Sequence, residues 1–176
     1  MQPADEEPEL GSYAELPQKF LRENPTMDPD FTKPDEVREH YGAPRPGIGA
    51  ITNGWALASM YAAPLTHVNG VRLISTKTLA TATVPHTDGV DTLVESGTAG
   101  PDIRFALGYQ LTSPSMPGFG PRSFGHTGAG GRLGIADPDY NVGFGYMCSR
   151  MRNIGPHGDP RWAALIDAVN ISIGSP

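Results

Sequence analysis

The sequence predicts an α+β domain in which helices pack on an antiparallel sheet. The chain contains 22 glycines and 18 prolines among 176 residues, a composition that favours turns and short strands over long helices. Strand-like runs joined by tight turns fill the second half of the chain, and capped helix-like runs precede and follow them. Consecutive strands with tight connections pair antiparallel, which gives the predicted sheet.

The predicted domain covers residues 49–176, after an acidic, proline-rich leader or linker at residues 1–48. Residues 1–40 hold eleven acidic and four basic residues, whereas residues 41–176 hold eight acidic and nine basic ones. A charge run of this kind is typical of a solvated segment. Within it, Asp35 is placed to cap a short helix over residues 36–41.

Two helices are predicted before the strands. The run 51–65 has a cap at Thr52 or Asn53 and a stop at Pro64, and Trp55 within it is expected in the core. A second helix begins after Ser75 and stops before residue 85, which is a proline.

The last predicted helix begins at Asp159, which is a natural cap, with Pro160 in its first turn. Its apolar residues recur at helical spacing and should pack on the sheet. They are Trp162, Leu165, Ile166 and Val169.

Four main strands are predicted, with a further short extended piece at residues 71–75. In chain order the four are residues 104–111, 125–131, 133–136 and 142–149. The last two form the clearest hairpin, with its turn at residues 137–141, where Asp137 and Asp139 supply turn chemistry. Cys148 is expected to be a buried small residue in the final strand. Residues 86–103 and 113–123 are predicted loops.

Several functional classes are excluded by composition and motifs. The net charge is −6 and there is no basic stripe, so no nucleic acid is expected as a partner. No apolar run is long enough for a membrane span, and the acidic start is unlike a secretory signal, so the expected location is the cytoplasm. Scattered histidines and the absence of nucleotide-binding glycine motifs predict neither a metal site nor a cofactor.

The run Gly-His-Thr-Gly-Ala-Gly-Gly at residues 125–131 is the candidate for chemistry. Small residues expose backbone N–H groups and let a ligand come close, and a hydroxyl and an imidazole stand beside them. This combination suits a site that holds an anion or a developing oxyanion. From the residues alone, a structural glycine-rich strand or turn is the favoured interpretation, with a site as the alternative.

Residues 124–151, which read FGHTGAGGRLGIADPDYNVGFGYMCSRM, resemble the closing strands of the β-lactamase-related serine hydrolases. That family includes class C β-lactamases, penicillin-binding peptidases and carboxylesterases, and the similarity is greatest to its esterase-like members. A looser similarity extends over about residues 41–153. The resemblance implies the C-terminal portion of a β-lactamase/transpeptidase-like fold.

Three motifs meet in the site of that family, and the chain matches one of them. His126, Thr127 and Gly128 correspond to its Lys-Thr-Gly or His-Thr-Gly strand, and by resemblance the backbone N–H of Ala129 is an oxyanion donor. A Ser-x-x-Lys and a Tyr-x-Asn or Tyr-x-Ser are absent, so this chain has no nucleophile of the family type. Histidine in the lysine position fits the esterase-like members better than the β-lactamases.

Three nearby residues are candidates for substrate binding. Arg132 follows the glycines and is placed to reach a substrate anion, with a solvated surface arginine as the alternative. Tyr109 is a candidate for lining the pocket, although packing is the competing role. Phe124, together with Phe119, is a candidate for an apolar wall around an acyl group.

The sequence supports three hypotheses. The chain is the C-terminal part of a hydrolase that acts on a small-molecule ester or amide, with an upstream half of the same enzyme as a partner that covers an exposed strand edge and an apolar helix face. Alternatively, it is a non-catalytic remnant or binding module that keeps only the pocket wall. In the third hypothesis it is a small α+β domain whose glycine-rich strand is structural.

Overall fold

The computed structural model describes residues 32–42, 50–88, 104–113, 116, 118–128, 130–150 and 159–174. They belong to two compact units, of which the first comprises Met1–Ile51 with Glu95–Thr98 and the second Thr52–Val94 with Ala99–Pro176. Helix α1, Pro34–Gly42, lies in the first unit and confirms the predicted short helix, but it begins before Asp35, which lies in its first turn rather than capping it. The remaining elements lie in the second unit.

The second unit combines three helices with a six-stranded sheet in its described residues. The helices are α2, Gly54–Ala62, α3, Thr76–Ala82, and α4, Pro160–Ile173. The strands are β1, Thr87–Asp88, β2, Arg104–Phe105, β3, Gln110–Leu111, β4, Phe124–Gly128, β5, Arg132–Asp137, and β6, Val142–Tyr146. Their order in the sheet follows the chain, and each pairs antiparallel with the next. The predicted α+β class with an antiparallel sheet is therefore confirmed.

The starts of α2, α3 and α4 are set by predicted capping residues. Asn53, rather than Thr52, caps α2 by accepting a hydrogen bond from the Ala56 N–H. Ser75 caps α3, and Asp159 caps α4 with Pro160 in the first turn. In each case a side-chain oxygen satisfies an N–H that has no partner within the helix.

One strand prediction was wrong because of a turn. Residues 104–111 form a hairpin rather than one strand: Gly108 has a φ of 79°, and the Ala106 N–H donates to the Tyr109 carbonyl. Residues 71–75, predicted as a short strand or extended piece, do not join the sheet, and Val71 makes only an isolated bridge to Val68 across a tight turn. Conversely, β1 falls in the predicted loop 86–103, of which residues 89–103 lie outside the described part.

One face of the sheet packs closely against α2 because the β6 residues that face this helix are glycines. A Cβ on Gly143 would lie 2.7 Å from the Ala58 carbonyl oxygen, and one on Gly145 would lie 2.5 Å from the Gly54 carbonyl oxygen. The glycines therefore let the helix backbone approach the strand directly. The core on this side comprises Tyr61, Leu79, Ala106, Leu111, Phe124 and Ala136.

The second core cluster contains the start of α4 and residues of β5. Trp162 and Ile166 are buried, as the helical spacing predicted, whereas Leu165 is largely exposed. The cluster comprises Met116, Phe119, Leu133, Ile135, Trp162 and Ile166.

Two single-residue predictions also need correction. Trp55 is 78% exposed rather than part of the core, because α2 turns Gly54 and Ala58 toward β6 and leaves the neighbouring Trp55 outside that contact. Cys148 is half-buried and follows the end of β6 instead of lying within it. Within the described residues, every helix is too short or too polar to cross a membrane.

Candidate active site

Strand β4 carries the His-Thr-Gly motif and lies between β3 and β5. His126 is paired with Gly134, and Gly128 is paired with Arg132 at the end of the strand. The close pairing depends on Gly125, because a Cβ there would lie 2.1 Å from the Gly134 carbonyl oxygen. Gly125 thus has a packing role in the pairing of β4 with β5.

Thr127 is hydrogen-bonded to Gln110, a residue that the sequence analysis did not identify as part of the site. The carboxamide oxygen of Gln110 accepts hydrogen bonds from the Thr127 N–H and from the Thr127 hydroxyl, each at 3.2 Å. Gln110 is only 4% exposed. Its position in an alternating strand pattern gave no signal of this contact, since it depends on the hairpin that places β3 beside β4.

His126 lies on the exposed part of the site. Its Nδ1 is 2.5 Å from the Thr127 carbonyl oxygen, and its ring centroid is 6.1 Å from that of Phe105. A carbonyl oxygen can only accept, so Nδ1 is the donor in this contact and the hydrogen is on that nitrogen. The other ring nitrogen, Nε2, is then the one available to a ligand.

The turn after β4 is fixed by contacts from two other parts of the chain. The Gly131 N–H donates to the Gly128 carbonyl at 3.1 Å. The Gly130 carbonyl accepts from Arg161 Nη2 at 3.0 Å and from the Cys148 thiol at 3.3 Å. Arg161 is itself paired with Asp159, whose carboxylate is buried. Ala129, the predicted oxyanion donor, lies outside the described residues.

The predicted substrate-binding residues have different surroundings. Arg132 is half-buried at the strand end, opposite Gly128. Phe124 is fully buried, with the Tyr109 ring packed edge-on at a centroid distance of 4.7 Å. Phe119 is also buried but belongs to the second core cluster, so Phe119 and Phe124 do not form one shared wall.

Two tyrosines near β4 are held in their neutral form. Burial raises the pKa of Tyr61 to about 12, with a further contribution from Tyr109, and burial also raises the pKa of Tyr109. The Tyr61 ring covers Gly134, the residue paired with His126. Both phenols can donate hydrogen bonds at neutral pH, and the raised pKa values leave almost no phenolate that could act as a base.

In the described part of the chain, no group of three or more His, Cys, Asp or Glu side chains is placed to hold a metal ion. The site residues that the structure does bring together are His126, Thr127, Gly128 and Arg132 at one end of β4 and β5. At this end of the strands, a polar ligand can contact backbone groups, the Thr127 hydroxyl and the His126 imidazole.

A protein-family model described as Beta-lactamase matches residues 2–168. The chain belongs to this β-lactamase family of serine hydrolases. The predicted resemblance is therefore confirmed, and no curated protein matches the chain at a significant level.

Solved structures with the family's fold are similar to part of the chain. A family VIII carboxylesterase is 32% identical, with a TM-score of 0.57 over 66% of this chain and 30% of its own. EstA from Arthrobacter nitroguajacolicus Rue61a is 31% identical, with a TM-score of 0.56 over 69% of this chain and 32% of its own. A penicillin-binding protein homolog from Caulobacter crescentus is 28% identical, with a TM-score of 0.55 over 68% of this chain and 31% of its own. The chain spans about a third of the length of these proteins.

Proposed function

We propose that the chain is the C-terminal portion of a serine hydrolase that cleaves esters or amides through an acyl-enzyme. The observation that carries this proposal is the His126-Thr127-Gly128 strand in a chain that is about 30% identical to a carboxylesterase and to EstA. In this proposal the strand forms one wall of the pocket. The nucleophilic serine comes from a polypeptide outside this sequence.

The proposed roles follow from acyl-transfer chemistry. A serine oxygen adds to the substrate carbonyl carbon, the carbonyl oxygen becomes an oxyanion, and the alcohol or amine then leaves with a proton. Backbone N–H groups at the end of β4, with Ala129 as the candidate, donate to that oxyanion. His126 offers Nε2 and Thr127 offers its hydroxyl oxygen to the substrate, while Arg132 is the candidate contact for a substrate anion.

An upstream half of the same enzyme is the proposed partner. Helix α2 presents Trp55, 78% exposed, and Met60, 50% exposed, in the unit that carries the site. In the described residues, β6 pairs only with β5, which leaves its other edge for an additional strand. Exposed apolar side chains and a strand edge support a surface that another polypeptide covers.

A chimeric enzyme tests the proposal. Residues 52–174 of this chain replace the matching segment of the family VIII carboxylesterase, and hydrolysis of a p-nitrophenyl ester is measured. We expect turnover that is lost when the host's nucleophilic serine is replaced by alanine and is strongly reduced by His126→Ala. A folded chimera without turnover would contradict the proposal.

A non-catalytic binding module is the second candidate, because the chain contains no Ser-x-x-Lys. Both candidates predict that the isolated chain forms no adduct with a fluorophosphonate probe by intact mass. They differ in the chimera, since a pocket wall that has lost its chemistry will not support ester turnover. An adduct on a serine of the isolated chain would contradict both candidates.

A further inference from the structure

Thr127 lies beyond the end of the β3–β4 pairing. The last backbone pair is Gln110 with Gly125, because the chain turns away through Gly108 in the β2–β3 hairpin. No described residue of β3 therefore stands opposite Thr127 to complete the ladder. The Gln110 side chain takes the place of that missing strand by binding the Thr127 N–H.

The direction of both hydrogen bonds follows from their chemistry. A backbone N–H can only donate, so the Gln110 atom that faces it is the carboxamide oxygen. That oxygen carries no hydrogen, so the Thr127 hydroxyl at 3.2 Å must donate to it as well. The Thr127 hydroxyl proton is thereby committed to Gln110, and its Oγ1 can offer only lone pairs to a ligand.

We propose that Gln110 sets the ligand preference of this site by leaving Thr127 Oγ1 as a hydrogen-bond acceptor. This inference rests on the proposed function, in which β4 is a pocket wall. An acceptor-only oxygen favours a neutral ligand group that donates an N–H or O–H. It disfavours a carboxylate, whose oxygens would face Oγ1 with no proton between them.

Burial maintains this arrangement. Gln110 is 4% exposed, so water has little access to replace the Thr127 hydroxyl as its partner. Turning the hydroxyl toward a carboxylate would give up a hydrogen bond in a poorly solvated place. Arg132 would attract a carboxylate, but its contribution is the same in the wild type and in Gln110→Met, so a comparison of these two isolates the effect of the hydroxyl.

Two near-isosteric probes, butyramide and butyrate, test the preference by NMR titration of the full chain, with the Thr127 and Gly128 amide signals as the readout. We expect butyramide to bind about threefold to tenfold more tightly than butyrate, the range that one neutral hydrogen bond supplies. Gln110→Met removes the acceptor, frees the hydroxyl proton and should abolish this ratio. Gln110→Glu keeps an acceptor and adds a negative charge that further opposes butyrate, so it should keep or enlarge the ratio and should keep the protection of the Thr127 amide from exchange.

Thr127→Val is the second variant, and it decides the question if Gln110→Met fails to fold. It removes the hydroxyl but retains a β-branched side chain suited to a strand, and it should also abolish the ratio. The inference would be overturned by equal or tighter binding of butyrate to the wild type, by an unchanged ratio in folded Gln110→Met or Thr127→Val, or by no shift with either probe. If the chimera hydrolyses esters but the chain shows no preference for butyramide, the proposed function stands and this inference fails. If the preference is observed but the chimera is inactive, this inference stands and the proposed function fails.

Discussion

The Ser123 hydroxyl donates to the Asp137 carboxylate at 2.6 Å, and both residues are buried. Ser123 Oγ also accepts from the Phe119 and Gly120 N–H groups, while the other Asp137 oxygen accepts from the N–H groups of Asp139 and Tyr140. This chain of contacts joins the loop at residues 118–123 to the turn between β5 and β6. It accounts for a carboxylate inside the core, since both of its oxygens accept hydrogen bonds.

Asp137→Ala should lower the free energy of unfolding by about 3 kcal/mol, because it leaves three donors without an acceptor in a buried place. Ser123→Ala should cost about 2 kcal/mol. The double variant should cost less than the sum, because each single change already breaks the shared contact. Urea denaturation measures all three values.

The control for this prediction is the exposed ion pair between Arg122 and Asp139, whose side chains are 65% and 41% exposed. Arg122→Ala should change stability by less than about 1 kcal/mol. Additive effects of the Ser123 and Asp137 changes would show that their contact contributes little.

Gly134→Ala should destabilise the second unit by about 1–3 kcal/mol through overpacking. A Cβ at this position would lie 2.0 Å from Cε2 of the Tyr61 ring, which cannot move without disturbing the core. Thermal unfolding measures the change. Gly42→Ala is the matched control, since a Cβ at Gly42 would meet nothing within 4 Å.

A combined Gly134→Ala and Tyr61→Ala variant tests the cause. Removing the ring makes room for the added methyl group, so the cost of Gly134→Ala should largely vanish in the Tyr61→Ala background. If the two effects add, the strain at Gly134 has another origin.

Tyr61 should make stability fall at alkaline pH. Its pKa is raised to about 12 in the folded chain, chiefly by burial, whereas an unfolded tyrosine titrates near 10. The stabilisation is fully present below pH 10 and is lost as the pH rises toward 12, by up to about 2–3 kcal/mol. Chemical denaturation at pH 8, 10 and 11.5 measures this slope.

Tyr61→Phe should flatten that alkaline slope while leaving stability near neutral pH almost unchanged. Tyr109, whose pKa burial also raises, remains and should account for a residual slope. An equally steep slope in Tyr61→Phe would assign the effect to other groups.

Arg161 should protect Cys148 from modification. Both residues donate to the Gly130 carbonyl, and Arg161 also donates to the Arg150 carbonyl, so the guanidinium ties the segment after β6 to the turn after β4. Arg161→Met should increase the rate of thiol modification severalfold, because the segment opens more often. Cys148 is the only cysteine, so a colorimetric thiol reagent measures its rate directly.

Arg161→Lys is the matched variant. It keeps a positive charge but cannot reach Asp159, Gly130 and Arg150 together, so it should resemble Arg161→Met rather than the wild type. A wild-type rate in Arg161→Lys would mean that charge alone is sufficient.

Local chemistry in the sequence determined the helix starts and the main hairpin. Asn53, Ser75 and Asp159 act as caps within their own segments, because a capping side chain bonds an N–H only two or three residues away. The turn at residues 137–141 and the His-Thr-Gly strand could likewise be predicted, because each is a contiguous run of residues. The His-Thr-Gly strand also carried the family resemblance.

Tertiary structure decided the contacts between distant residues. Gln110 meets Thr127, and Arg161 meets Gly130, only because hairpins and the last helix bring separate segments together. The exposure of Trp55 depended on which side of α2 faces the glycines of β6, and an apolar side chain does not reveal that choice. A sequence pattern indicates whether an element is a helix or a strand through its hydrophobic period. Hydrogen bonds between residues 17 or 31 positions apart are instead determined by how whole elements pack.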